Sequence, residues 1–362
     1  MILVSLIGDF DSSILPIFYE FKNQIKHHIL LHDDGKHDID KTNRIIQSQH
    51  IFKKLYNYSY GITSLKIDED SVESILKVFN SILEISKKQT ILFNGTDGLT
   101  NVSIIVAGQL FSNNGKFITY DMHENEYNLL TISDMKKYKI INNMQICNHL
   151  ILKGFEIESY SKPNEMNSRK NQIFSLTKNL SRYKDFTTVI SNTDYGKITN
   201  FDDIKVILNS IPNTIIDKKF IQGVVFEEYI YWVIKDNFIV DDILCGVKIK
   251  FDHEVQNEFD ILFIINNHLH QIECKFVNSL DGERFVYKTH STIEQLDDEG
   301  KGMIVSIGAN NKIIKGKNIK KQFTDGDFAR AKKENIYIYQ SKKFDMTIFI
   351  ENVANFFGLE RK

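Results

Sequence analysis

The stretch NEFDILFIINNHLHQIECKF, Asn257 to Phe276, decides the fold of the second half of the chain. Apolar residues alternate along both of its halves, which is the pattern of two β-strands. The Asn266-Asn267 pair between them predicts a two-residue hairpin turn, because Asn tolerates the left-handed backbone that such a turn requires. The register set by this turn places Asp260 directly opposite Glu273, on one face of the hairpin.

Lys275 follows Glu273 by two residues and therefore lies on the same face as the two acids. Facing carboxylates destabilise a sheet, whereas a divalent cation between them would turn the pair into a site for Mg²⁺ or Mn²⁺, which prefer oxygen ligands. An ammonium group beside that metal would orient a water molecule or stabilise charge on a phosphate. The alternative is a charged cluster in which Lys275 only neutralises Asp260 or Glu273.

The opposite face of the hairpin is predicted to be apolar throughout and to join the core. Its residues are Ile261, Phe263, Ile265, Ile272, Cys274 and Phe276.

The segment GVVFEEYIYW, which begins at Gly223, reads as an amphipathic helix that precedes the hairpin. A carboxylate from this helix is expected to reach the same cation. Glu227 directly follows an apolar pair, so we rank it above Glu228 for this role, and the other acid is expected on the surface. The sequence alone leaves the choice between the two open.

Composition narrows the class of protein. The 362 residues are enough for two domains, and a hydrophobic content of 42% is ample for packed cores. A formal net charge of −2 gives no global field that would attract nucleic acid, which leaves local basic patches. The scattered Cys147, Cys245 and Cys274 favour reduced thiols. No signal peptide or membrane-length apolar run is found, so a cytoplasmic protein is expected.

The first 135 residues alternate strand-like and helix-like segments, which predicts a mostly parallel sheet in a Rossmann-like α/β domain. Residues 136–213 predict a connector or small helical subdomain with a break at Pro163. Residues 214–362 predict a second α/β domain around a mixed sheet.

Two loops of the first domain follow strands at their carboxyl ends, where ligands bind in parallel sheets. They are GDFDSS after the first strand and NGTDGLTN after the fourth. Small and hydroxyl residues let backbone N–H groups approach an anion at a helix N-terminus, although both loops are also compatible with simple capped turns. The candidate ligand-binding residues are Gly8, Asp9, Ser12, Ser13, Asn94, Gly95, Thr96, Asp97, Gly98 and Thr100.

The order of a helix Glu, a strand Asp and Glu-x-Lys resembles the PD-(D/E)XK nuclease superfamily, with Phe259 in place of the proline of the name. More narrowly, GVVFEEYIYWVI, the opening stretch and FARAKKENIYI resemble the CARF-domain nucleases of type III CRISPR systems. The resemblance implies an N-terminal Rossmann-like CARF sensor at residues 1–135 and a PD-(D/E)XK restriction-endonuclease-like domain at residues 214–362.

The resemblance further implies a homodimer whose two sensors bind one cyclic oligoadenylate, with cyclic tetra-adenylate the expected ring. Binding would activate metal-dependent cleavage of single-stranded RNA or DNA, or nicking of duplex DNA, in antiviral defence. By the motif, Mg²⁺ or Mn²⁺ would be held by Glu227, Asp260 and Glu273, with Lys275 catalytic.

In the sensor, Asn94, Thr96 and Gly98 match the family's Asn-x-Thr-x-Gly-Thr-Lys loop. Leu99 and Thr100 stand where Thr and Lys are usual, so a phosphate-facing positive charge is missing from this loop.

Two other functions remain possible at this point: a constitutive restriction- or repair-type endonuclease, and a nucleotide-sensing regulator with an inactive nuclease domain. Local lysines would contact the phosphodiester backbone in either nuclease, or would form a solvated loop. These lysines are Lys288, Lys315, Lys317, Lys320 and Lys321.

Overall fold

The computed structural model describes residues 1–8, 11–97, 100–113, 115–251, 255–276, 281–307, 312–314, 317–319, 323–341 and 344–362. The chain divides into two compact units. Unit 1 comprises Met1–Glu156 with Asn266–His268, and unit 2 comprises Ile157–Ile265 with Leu269–Lys362.

Unit 1 is built on one sheet, flanked by helices. Its described strands are β1 (Ile2–Leu6), β2 (His27–His32), β3 (Gly61–Lys66), β4 (Ile91–Asn94), β5 (Lys116–Asp121), β6 (Glu126–Leu130) and β7 (Met135–Lys139). Its described helices are α1 (Leu15–Phe21), α2 (Lys36–Leu55), α3 (Val72–Ser86), α4 (Thr100–Ser112) and α5 (Ile146–Leu152).

The strand order in unit 1 is β3-β2-β1-β4-β5-β6-β7. The first five strands are parallel, and β6 and β7 extend the sheet in antiparallel fashion. The chain runs from β1 to β2 and β3 on one side and returns to β4 on the other, so the crevice beyond β1 and β4 is the topological switch point where such sheets bind ligands. The predicted Rossmann-like fold is confirmed.

Apolar residues cover both faces of this sheet, which explains why its strands are nearly continuous in hydrophobic residues. Along β1, Ile2 and Val4 pack in one core cluster with α3 and α4. Leu3 packs in the opposite cluster, together with Phe18 of α1 and Phe52 of α2.

Unit 2 contains a mixed sheet, as predicted. Its described strands are β8 (Glu156–Ser159), β9 (Asp242–Phe251), β10 (Val255–Ile265), β11 (His268–Phe276), β12 (Gly302–Ile307) and β15 (Ile336–Ser341), with a separate pair β13 (Lys312–Ile314) and β14 (Lys317–Ile319). Its described helices are α6 (Pro163–Thr177), α7 (Leu180–Ile190), α8 (Asp202–Asn209), α9 (Val225–Asn237), α10 (Gly282–Leu296), α11 (Asp325–Lys333) and α12 (Met346–Phe357).

The strand order in unit 2 is β15-β12-β11-β10-β9-β8. β11, β12 and β15 are parallel, whereas β9 and β10 are antiparallel. A π-helical turn, Phe220–Val224, leads into α9.

The predicted hairpin is confirmed. β10 ends at Ile265 and β11 begins at His268, and the two turn residues, Asn266 and Asn267, have φ of 52° and 66°. Within unit 1 the Asn267 side chain accepts a hydrogen bond from the Met144 N–H at 2.7 Å. The predicted apolar face is also confirmed, because the following residues lie in the core of unit 2 and Ile265 packs against it: Ile261, Phe263, Ile272, Cys274 and Phe276.

The segment predicted as a connector, residues 136–213, is divided between the two units. Residues 136–139 belong to β7, an edge strand of unit 1, and α6 to α8 belong to unit 2. These helices join the core of unit 2 because a few large side chains are fully buried, among them Tyr183 and Phe186. Most other residues of these helices are polar, so the few buried apolar side chains do not stand out in the sequence.

The longest described helix, α2, has 20 residues and carries charged side chains along its length. Within the described ranges, every helix is too short or too polar to cross a lipid bilayer.

Candidate active site

The hairpin brings Asp260, Glu273 and Lys275 together. The Lys275 Nζ atom lies 2.6 Å from Glu273 Oε1 and 3.5 Å from Asp260 Oδ2, so one ammonium group bridges the two acids. The side chains of Asp260 and Lys275 keep 12% and 18% exposure, while Glu273 keeps 3%. The site is therefore deep but open to solvent on the Asp260 and Lys275 side. The catalytic and metal-binding roles of these residues stay predictions.

The backbone around Asp260 is irregular. The register of β9 with β10 pairs Phe259 with Val247 and Ile261 with Cys245, but it omits the pair between them. The omitted partner, Gly246, has φ of 60°, a left-handed conformation that favours glycine. The ladder is thus interrupted where the chain places its acid.

Asp260 is aimed across the hairpin by a hydrogen bond. The backbone N–H of Cys274, on the neighbouring strand, donates to Asp260 Oδ2 at 2.7 Å. A charge-assisted bond of this kind holds one carboxylate oxygen in place. The same bond leaves Oδ1 available for another partner.

The two neighbouring acids of α9 lie in different surroundings. Glu228 is completely buried and forms an ion pair with Arg169 of α6, whose Nε donates to Glu228 Oε2 at 2.9 Å. For Glu227, burial and then the negative charge of Asp260 raise the pKa of the side chain to about 8. The charge of Asp260 thus affects Glu227, whereas Glu228 is engaged by Arg169. The expectation that the other acid lies on the surface is wrong, because Glu228 is fully buried in this ion pair.

Burial and like charge also act on the hairpin itself. Burial and then the charge of Glu273 raise the pKa of Asp260 to about 7, against the opposing effects of Lys275 and the Cys274 N–H. Burial lowers the pKa of Lys275, but the charges of Asp260 and Glu273 outweigh it and raise that pKa above its ordinary value. Three carboxyl groups, those of Glu227, Asp260 and Glu273, influence one another around the bridging ammonium of Lys275. A further positive charge at this place would therefore stabilise their ionised forms.

One carboxylate oxygen of the site is left without a partner. Glu273 Oε2 is buried and accepts no hydrogen bond, although an unpaired buried polar atom costs about 1–3 kcal/mol. Oxygen donors with excess negative charge are the set that Mg²⁺ or Mn²⁺ prefers. Asp260, Glu273 and Glu227 therefore fit a divalent cation by their chemistry. Among the described residues no three such side chains form a preformed cluster.

Helix α10 contributes Lys288, one of the predicted phosphate-contacting lysines, and Phe285, which the sequence reasoning did not place in the site. Lys288 Nζ lies 3.4 Å from Glu273 Oε1, and its side chain is 42% exposed. The ring of Phe285, one turn earlier on the same helix, lies under the Lys275 ammonium at 5.1 Å. The spacing of Phe285 and Lys288 puts them on one helix face, but only the packing of α10 directs that face toward β11.

The remaining lysines of the predicted phosphate-contacting set cannot be placed. Lys315, Lys320 and Lys321 lie outside the described residues, and so does the side chain of Lys317 in β14.

In unit 1, two of the predicted ligand residues hold the loops together. Asn94 is 2% exposed, donates to the Ser13 carbonyl at 2.8 Å and accepts from the Thr96 N–H at 3.2 Å. Thr96 Oγ1 in turn accepts from the Tyr120 N–H at 2.8 Å. Asn94 and Thr96 thus tie the end of β4 to the turn after β1 and to β5, which is a positioning role.

The other predicted ligand residues differ in accessibility. Ser12 and Ser13 are buried, whereas Thr100 is exposed at the start of α4. Asp9 and Gly98 lie outside the described residues. The remaining three are partly exposed beyond the carboxyl ends of β1 and β4: Gly8, Gly95 and Asp97.

Residues 216–336 match the family model of the Card1-like endonuclease domain. No curated protein matches the chain significantly.

Among solved structures, the fold is similar to that of protein VC1899 from Vibrio cholerae, with 16% identity, coverage of 99% of this chain and 98% of that one, and a TM-score of 0.73. It is similar to Can2 from Sulfobacillus thermosulfidooxidans, solved with cyclic tetra-adenylate, with 16% identity, 98% coverage of both chains and a TM-score of 0.69. A type III CRISPR defence DNA nuclease activated by cyclic oligoadenylate shares 10% identity with a TM-score of 0.56, and this chain spans 52% of its length.

The hairpin acids and the adjacent lysine lie within the region that matches an endonuclease domain, and this match indicates a nuclease. More particularly, the match is to the Card1-like endonuclease domain and covers residues 216–336, most of which belong to unit 2.

Proposed function

We propose that this chain is a metal-dependent nuclease of type III CRISPR defence, activated by a cyclic oligoadenylate and acting in the cytoplasm. The observation that carries the proposal is the Lys275 ammonium bridging Asp260 and Glu273, beside a buried Glu273 oxygen that has no partner. A cluster serving only stability would be expected to satisfy that oxygen.

Asp260, Glu273 and Glu227 would hold Mg²⁺ or Mn²⁺. When bound, the ion supplies positive charge at the phosphate and makes a water molecule more acidic. The Cys274 N–H holds one oxygen of the Asp260 carboxylate in place.

The lysines of the site would stabilise the negative charge of the substrate phosphates. Lys275 keeps its proton because two carboxylates raise its pKa, so its ammonium is available to stabilise negative charge that develops on the scissile phosphate. Lys288, which is more exposed and lies on α10, would contact a phosphate of the same strand. Neither contact reads base identity, so a sequence-tolerant nuclease is expected.

Cyclic tetra-adenylate is the activator that we propose for unit 1. Support comes from the switch-point crevice beyond β1 and β4 and from the fold shared with Can2, whose structure contains this ring. A ring with rotational symmetry suits a two-fold dimer, in which each copy supplies one half of the site.

Helix α4 is the surface that we assign to the second copy. It is apolar around most of its circumference, and Ile104 remains 66% exposed. One turn later, Gly108 has open space around it and allows a close helix approach. The exposed face of α4 thus combines Ile104 and Gly108 with polar residues such as Asn101 and Gln109. We propose that a two-fold copy of α4 covers it.

The test is a cleavage assay with single-stranded RNA, single-stranded DNA and plasmid DNA in Mn²⁺. Each substrate is incubated alone and with cyclic tri-, tetra- or hexa-adenylate. Cleavage that requires one ring supports the proposal. Equal cleavage under all conditions favours the constitutive endonuclease instead, and ring binding without cleavage, unchanged in Glu273→Ala, favours the inactive regulator.

A further inference from the structure

A buried hydroxyl group lies on the strand next to Lys275. Strands β11 and β12 are parallel, and their register pairs Lys275 with Ser306. Paired residues of neighbouring strands project from the same face of a sheet, with the backbones about 4.8 Å apart. Ser306 is fully buried, and its Oγ atom has no hydrogen-bond partner among the described residues. The active site therefore has an unpaired hydroxyl group beside its lysine.

An unpaired buried hydroxyl group lowers stability, because it gives up hydrogen bonds to water and gains none in return. Such atoms are rare in native proteins, and a catalytic role is one reason for those that persist. The neighbour of Ser306 on its other side, Gln340 of β15, already accepts a hydrogen bond from the Phe323 N–H at 2.9 Å. A role in the active site explains the Ser306 hydroxyl better than a role in stability does.

The surroundings of the Lys275 ammonium show why another acceptor is useful. In the structure this group donates to the Cys274 carbonyl oxygen at 3.2 Å and lies 2.6 Å from Glu273 Oε1 and 3.5 Å from Asp260 Oδ2. The two carboxylates are also the proposed ligands of the divalent cation. Because their oxygens would then turn toward the cation, the ammonium would lose part of its support while it faces the phosphate.

We propose that Ser306 is a positioning residue for Lys275, an inference that rests on the proposed nuclease function. Once the carboxylates bind a cation, the Ser306 hydroxyl oxygen accepts a hydrogen bond from the Lys275 ammonium, which has three donors. The Phe285 ring under the same ammonium limits its movement on the side of α10. Ser306 and Phe285 together direct a remaining N–H donor toward the scissile phosphate.

A second buried hydroxyl group provides the matched control. Thr289 of α10 is fully buried, and within the part of the chain that the structure describes its Oγ1 atom has no hydrogen-bond partner either. It packs over the start of β12, since a Cβ atom placed on Gly302 would lie 2.7 Å from Thr289 Cγ2. Gly302 precedes Ser306 by four strand residues, about 13 Å. Thr289→Val therefore removes the same kind of atom at a distance from Lys275.

The test measures kcat and KM of the full-length protein under the conditions in which the wild type cleaves fastest, and the Tm in EDTA. Ser306→Ala is expected to lower kcat about tenfold to a hundredfold, as found for side chains that orient the groups of a metal site, with KM little changed. Its Tm should rise, because an unpaired hydroxyl group is removed from the core. Thr289→Val should also raise the Tm but leave kcat unchanged.

A double-mutant cycle shows whether Ser306 acts through Lys275. In the Lys275→Met background, Ser306→Ala should have no further effect on the residual cleavage. Ser306→Cys, which has a similar volume and only a weak acceptor, should show the same loss of kcat as Ser306→Ala.

Wild-type kcat in Ser306→Ala, or a lowered Tm in EDTA, overturns the role of Ser306 while the nuclease proposal stands. An equal loss of cleavage on Ser306→Ala in the wild-type and Lys275→Met backgrounds also overturns it. If the wild-type protein cleaves none of the three substrates with Mn²⁺ and any adenylate ring, the proposed nuclease function is overturned, and the role of Ser306 with it.

Discussion

Lys275 and Glu273, two residues apart on β11, form the shortest described link of the active site, with Nζ 2.6 Å from Oε1. The same ammonium reaches Asp260 at 3.5 Å, so it stands between the two acids where a metal ion would also find its ligands. The relationship predicts that Lys275 has a role in stability as well as in catalysis.

Replacing Lys275 by Met is expected to reduce cleavage by at least about a hundredfold, in the range found when one charge-stabilising donor is removed from an active site. It should also lower the Tm in EDTA, because the carboxylates lose their bridging cation. Mn²⁺ should then raise the Tm more in the variant than in the wild type, as measured by calorimetry. Loss of cleavage with an unchanged Tm in EDTA would contradict the bridging role.

Stability without metal should fall as the pH rises. Asp260 and Glu227 have pKa values raised to about 7 and about 8, so the folded state binds protons more readily than the unfolded state. The stability they contribute is present below about pH 4 and is lost as the pH rises through 7 and 8.

Urea unfolding in EDTA at pH 5.5 and at pH 8.5 measures this dependence. In Asp260→Asn the decrease should be smaller, because a group that titrates in this window is removed. The same decrease in Asp260→Asn as in wild type would contradict the assignment.

The adjacent acids of α9 should separate activity from stability. Glu227→Gln is expected to abolish most cleavage while the protein stays folded. Glu228→Gln should leave Arg169 with an unpaired buried charge and destabilise the protein by about 3–5 kcal/mol. Chemical unfolding and cleavage rates are measured for both variants. Loss of stability in Glu227→Gln together with loss of cleavage only in Glu228→Gln would contradict the assignment of the two acids.

Gly246→Ala is expected to impair cleavage by disturbing the strand next to Asp260. The left-handed backbone costs alanine about 1–2 kcal/mol, and its Cβ would lie 2.8 Å from Ser161 Oγ. The control is Gly196→Ala in the same unit, where φ is not positive and no atom lies within 4 Å of an added Cβ. Cleavage rate and Tm are measured for both variants. Equal cleavage rates and Tm values would contradict the requirement for glycine at position 246.

The sequence predicted the hairpin correctly for local reasons. The turn depends on the left-handed tolerance of Asn266 and Asn267, and the sorting of faces depends on the two-residue period of a strand. The packing of the helices in residues 163–209 does not follow from local patterns, because a few buried aromatic residues such as Tyr183 decide it.

The sequence by itself therefore determined which strand residues share a face, and so that Asp260, Glu273 and Lys275 would meet. Only the tertiary structure decided that Asp260 affects Glu227 while Arg169 engages Glu228, and that Lys288 approaches from α10. The physical reason is that a strand pair is specified by neighbours and a turn, whereas the direction in which a helix presents a side chain depends on packing between residues far apart in the chain.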